Sequence, residues 1–229
     1  MTKNIETRTY PMADAALGKI SMDLGIAIKR DLPDFATRNF TNQNLVDFEK
    51  MAGDFNELPT DEELLGEQKD ATDNKYKTMN DIKVAIRPIR NMAELVYKSA
   101  GKYTSFNFTD MDGMNDFELY KLANRVVRIG TKYLADLAVQ GLTQAHLTSL
   151  HNLATLLFTQ MSTAEEKIET RDLETQHRIQ KGNELWEKVV ELASIGKSLY
   201  VDTNEAKYND YVLTSNTPPP PPPPENPTK

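Results

Sequence analysis

The sequence predicts an all-α fold. An apolar seam recurs at alternating three- and four-residue spacing, helix-start signatures precede the apolar runs, and one helical pattern is written twice along 229 residues. The predicted architecture is an elongated antiparallel four-helix-type bundle of two duplicated helical units. A disordered or polyproline II C-terminal tail follows it.

The seam is clearest at Met79, Ile82, Ile86, Ile89, Ala93 and Val96. These side chains fall on one stripe of a helix, as in a coiled coil. A shift of 103 residues brings Gly182, Leu185, Val189, Leu192, Gly196 and Leu199 into the same register, ending in Tyr97 or Tyr200. Lys102-Tyr103 and Lys207-Tyr208 repeat beyond the seam.

Two further matches support the duplication. Leu17, Leu24, Gly25, Asp31 and Leu32 align with Leu122, Ile129, Gly130, Asp136 and Leu137 at a shift of 105. Leu45, Phe48, Ala52 and Phe55 align with Leu147, Leu150, Ala154 and Leu157 at a shift of 102, preceded by Thr41 and Thr143 as N-caps. Thr60 with Glu63, and Thr163 with Glu166, read as capping boxes, so a helix is expected to begin at each.

Each unit then holds three helices, over about 12–29, 42–56 and 61–100 in the first and 117–139, 144–160 and 164–201 in the second. Pro33 and Gly141 mark breaks, and Pro88 is a candidate kink. The chain divides into an N-terminal arm (1–11), repeat unit 1 (12–108), repeat unit 2 (109–214) and a Pro-rich tail (215–229). The stretches 61–78 and 164–181 keep few seam residues and read as solvated, charge-laced helix.

Composition narrows the function. The net charge is −7, with Lys and Arg scattered among Asp and Glu. No basic stripe serves nucleic acid, and no run is apolar enough for a membrane span. The absence of cysteine excludes disulfides, thiolate metal sites and cysteine nucleophiles. Without a secretory signal pattern, the expected location is cytoplasmic.

The sequence carries no common catalytic constellation, so no enzyme activity and no cofactor are expected. His146 and His151 lie five residues apart and cannot share a metal across one helical face. Glu174-Thr-Gln-His177 matches the Glu-x-x-His of di-iron bundles, but Ala71 and Asn74 hold the corresponding places in the first unit, so no metal is expected there. Asp110, Asp112 and Gly113 fail the calcium-loop spacing and read as a turn before a helix. Arg87, Arg90, Arg125 and Arg128 read as solvated helix residues.

The tail carries seven consecutive prolines, Pro218, Pro219, Pro220, Pro221, Pro222, Pro223 and Pro224, then Glu225. Such a run serves as a stiff spacer or docks in an aromatic groove. The leading expectation is a non-enzymatic structural or protein-interaction scaffold with a protein partner, whose prolines tether it or engage that partner. Homo-oligomer formation is compatible with it. A helical bundle binding a small ligand or a di-metal carboxylate site is the alternative, with Glu174 and His177 as its residues. A subunit of a larger assembly such as a virion is a third.

Overall fold

The structure, a computed structural model, describes residues 7–98, 101–108 and 110–213. These residues are all-helical with no strand among them, as the sequence predicts. Pro218 to Pro224 lie outside the described residues. The chain separates into two compact units, one made of Met1–Thr60 with Asp172–Lys229, the other of Asp61–Arg171. Each has its own apolar core.

In the first unit, helix α1 (Asp14–Arg30) carries Asp14 in its first turn and Lys29 and Arg30 in its last, matching the helix dipole at both ends. It buries Leu17, Ser21, Leu24 and Ile28, one face at helical spacing. Helix α2 (Leu32–Ala36) accepts Pro33 in its first turn, where a missing N–H costs nothing. Helix α3 (Asn42–Asn56) starts where the sequence places it. Thr41 and Asn44 form a reciprocal capping box, and Leu45, Phe48, Ala52 and Phe55 face inward.

The C-terminal part of the long helix α8 (Gln144–Tyr200) completes this core with Leu185, Val189 and Leu192. Two seam positions on it are glycines for a packing reason. A Cβ on Gly182 would collide with the Tyr10 ring, and one on Gly196 with the Tyr211 ring. Both rings are buried there. The short helix α9 (Glu205–Asp210), capped by Asn204, precedes Tyr211.

The second unit uses helix α4 (Asp61–Tyr97), the short α5 (Gly101–Thr104), α6 (Asp116–Lys132), α7 (Leu134–Leu137) and the N-terminal part of α8. Ile82, Ile86, Ile89 and Ala93 pack with Leu119, Leu122, Val126, Leu147, Leu150 and Leu157. Pro88 stands inside α4 without ending it, and its ring is exposed. The turn expected near Asp112 is present and feeds α6, capped reciprocally by Asn115 and Glu118. The first core is built chiefly from α1, α3 and α8, and the second from α4, α6 and α8.

Two helix boundaries differ from expectation. The helix expected over 117–139 stops at Lys132, turns at Tyr133 and resumes as α7 and a short 3-10 turn, Ala138–Gln140. Gly141 then takes φ +93, a left-handed conformation that favours glycine.

The larger correction is at Thr163. No helix starts there, because α8 runs through it. Pro59 stands immediately before Thr60, whereas Ser162 stands immediately before Thr163. Proline removes an N–H and clashes with the preceding turn; serine does neither. The Thr163 hydroxyl accordingly donates back to the Thr159 carbonyl at 3.1 Å instead of capping.

The solvated helix stretches leave Tyr76 60%, Ile168 40% and Leu173 67% exposed, while Leu64 and Ala164 are buried. Several ion pairs here join different segments of the chain. In the second unit Lys167 meets Glu67 at 2.8 Å, and Arg171 grips both oxygens of Asp61 at 2.9 Å. In the first, Arg178 reaches Asp14 at 3.2 Å and donates to the Pro59 carbonyl at 2.7 Å.

Candidate functional surfaces

Each unit gathers a carboxylate, a tyrosine and a lysine where its helices end. In the second, α7 presents Asp136, which accepts from the Tyr97 hydroxyl at 3.0 Å and from Lys102 Nζ at 2.8 Å. Lys102 also lies over the rings of Tyr97 and Tyr133, 5.3 and 4.9 Å from their centroids. Its hydrogen bond lowers the Asp136 pKa, and that of Tyr97 is pushed up to about 12, by burial first and then by the carboxylate.

In the first unit, α2 presents Asp34, which accepts from Tyr200 at 2.6 Å and from Lys207 at 3.4 Å. Lys207 sits 4.7 Å from the Tyr200 centroid. The Tyr200 pKa is likewise raised to about 12, first by burial and then by Asp34.

This geometry revises the sequence alignment. The sequence pairs Asp31 with Asp136, but the residue making Asp136's contacts is Asp34. Backbone features agree. Phe40 N–H donates to the Phe35 carbonyl at 3.3 Å, and Leu142 N–H to that of Leu137 at 3.3 Å, 102 residues further on. Asn39 and Gly141, at the same separation, both have positive φ. His146 accepts at Nδ1 from the Thr143 N–H at 3.3 Å, as Asn44 Oδ1 does from the Thr41 N–H.

Asp31 instead occupies the place of Tyr133 and is fully enclosed. It accepts from Arg30 at 2.7 Å, Lys207 at 2.7 Å and Tyr211 at 2.8 Å. Burial opposes its ionisation, but these three donors outweigh that and hold the carboxyl well below the usual carboxylate range. In the second unit Tyr133 comes with Phe106, 105 residues before Tyr211. The buried Asp31 carboxylate thus comes with the Tyr211 hydroxyl in one unit, where the other has the Tyr133 and Phe106 rings. Such an arrangement satisfies the buried carboxylate with three donors.

The second unit also carries an aromatic ridge. Phe117 and Tyr120 of α6 stack at 6.0 Å, and Tyr120 meets Phe158 of α8 at 5.3 Å. Phe117 is 44% and Phe158 50% exposed, with Lys121 over the Phe117 ring at 4.7 Å. The first-unit residues 102 positions earlier are Ala15, Gly18 and Asn56, and the Asn56 side chain packs directly on Gly18. Rings stand exposed in one unit where small or polar residues stand in the other.

The chain matches no protein-family model, no curated protein and no solved structure. The remaining candidates are therefore read from geometry. Glu174 and His177 are adjacent on α8 at 3.5 Å and both partly exposed. Among the described residues no group of three or more His, Asp or Glu is placed to hold a metal ion. His177 does line a cleft of about 440 Å³ with Lys50, Met51, Asp54, Leu58, Lys181 and Glu184. Arg87 and Arg90 border a cleft of about 330 Å³, and Arg125 another of about 430 Å³. No helix among the described residues is long and apolar enough to cross a membrane.

Proposed function

We propose that this protein is a duplicated, non-enzymatic helical scaffold that acts by binding another protein. The ridge of Phe117, Tyr120 and Phe158 is its docking surface, and Pro218 to Pro224 are a tether or second point of contact. The ridge is the observation that carries this reading. Exposed rings cost free energy in water, at roughly 25 cal/mol per Å² of apolar surface, and aromatic side chains are enriched where proteins bind. Packing does not require them, because the corresponding place in the first unit is filled by Ala15, Gly18 and Asn56.

Duplication is supported by the features that recur 102 residues apart: the Thr41 and Thr143 caps, the paired carbonyl contacts, and Asp34 with Asp136. It gives the chain two similar frames, only one of which carries the ridge.

The test is capture by the full-length protein from lysate of the cells that make it, beside a Phe117→Ser, Phe158→Ser variant. A protein bound near one equivalent by the parent and lost by the variant, at an unchanged melting temperature, supports the reading. A variant that retains every bound protein rejects the ridge.

A second reading rests on the His177 cleft. With Met51 and Leu58 on its wall and charges of both signs around it, that cleft suits a small amphipathic ligand. A co-purifying small molecule released by His177→Ala would favour it over the scaffold.

A further inference from the structure

We infer that each half of this chain, before and after the connection near residue 109, is self-complementary: it can pair with a second copy of itself through the contacts it makes to the other half. This rests on the duplication proposed above. Within both units the described contacts run crosswise. Asp34 of the first half meets Tyr200 and Lys207 of the second, and Asp136 of the second meets Tyr97 and Lys102 of the first. Asp14 meets Arg178 as Asp116 meets Lys75.

Each half therefore contains both the acceptors and the donors of one set of contacts. The first half holds Asp14 and Asp34 together with Lys75, Tyr97 and Lys102. Donors of the same chemistry stand at nearly the same separations in the second half, Lys75 for Arg178 being the one change of type. The apolar seams carry equal spacing as well: Ile82, Ile86 and Ile89 match Leu185, Val189 and Leu192, all buried. A surface on which residue i meets j and j meets i is the isologous contact of a two-fold dimer.

The fit between like halves is incomplete at two points. The Tyr10 ring, which leaves no room for a Cβ on Gly182, would meet Met79 in a pair of first halves. In a pair of first halves Asp31 would face Phe106 where it now faces Tyr211, and would lose that hydroxyl. Both Asp31 carboxylates of that pair lose a donor, so the pair of first halves is about a hundredfold or more weaker than the natural pair.

The test uses the full chain with a protease site inserted after Asp112, cut while folded, then briefly exposed to denaturant, returned to buffer and weighed by native mass spectrometry. The two fragments should remain one particle after cutting. After refolding, a minor population should have the mass of two first halves. Asp136→Asn should weaken the unlike pair and leave the pair of first halves unchanged, whereas Asp34→Asn should weaken both. Fragments that separate on cutting overturn the inference, as do unlike pairs formed with no like pairs, or like pairs indifferent to Asp34→Asn. Capture of a partner by the uncut protein is read independently, so these failures leave the docking reading standing.

Discussion

The Tyr211 hydroxyl donates to Asp31 at 2.8 Å within the core of the first unit, joining the end of the described chain to the turn between α1 and α2. Both side chains are buried, and the carboxylate also takes hydrogen bonds from Arg30 and Lys207. Burial sets the scale of what removal does. Asp31→Asn should destabilise the protein by about 2–4 kcal/mol, and Tyr211→Phe by about 1–2 kcal/mol. Asp34→Asn, at an exposed carboxylate, should cost about 0.5–1 kcal/mol. Denaturant titration of the three variants ranks them, and a double-mutant cycle of Asp31 and Tyr211 should return a favourable coupling. Equal effects of Asp31→Asn and Asp34→Asn would contradict the burial argument.

The pH dependence follows from the same carboxylate. Its folded pKa lies below its unfolded value of about 3.9, so its contribution is fully present above that value and is lost as pH falls through the folded one. Asp116 and Asp136, also depressed, act in the same direction. Tyr97 and Tyr200 have folded pKa values of about 12, above the ordinary value near 10. Their contribution is complete below the ordinary value and lost as pH rises toward 12. Stability should be flat between about pH 5 and 9 and decline on both sides. Asp31→Asn should flatten the acid limb, and Tyr97→Phe with Tyr200→Phe the alkaline one.

Helix α8 is continuous because Ser162 is not proline. Ser162→Pro should remove a helical N–H, break or kink the helix there, and cost about 3 kcal/mol. Amide exchange of residues 159–166 should accelerate in that variant while the amides of α3 keep their protection. Unchanged exchange would mean that the helix is already open at that point.

Deletion of residues 217–229 should leave the melting temperature within about 2 °C of the parent. Among the described residues the apolar cores draw on side chains up to Leu213, and a run of prolines has no backbone N–H to contribute to a hydrogen-bonded ladder. On the proposed function the deletion should nonetheless weaken partner capture. Unfolding of the truncated protein would show the prolines to be packed structure; unchanged capture would confine the docking surface to the ridge.

Helical class, the start of α3 at Thr41, the start of α4 after Pro59 and the buried face of each seam were all legible in the sequence. They depend on interactions among residues three or four apart, which sequence spacing records directly. Partner choice does not. Sequence identity aligned Asp31 with Asp136, yet Asp34 makes the matching contacts, because equivalence there is set by a tyrosine and a lysine arriving from a distant helix. Thr163 carried a capping signature that α8 overrides, since a cap acts only where the backbone has already turned and no proline forces a turn there. The ridge left no periodic signal, because its three rings come from two helices and their exposure depends on what packs beside them. Local chemistry thus determined which segments are helices and which faces they bury; only the tertiary structure decided which carboxylate meets which hydroxyl, and which rings are left in water.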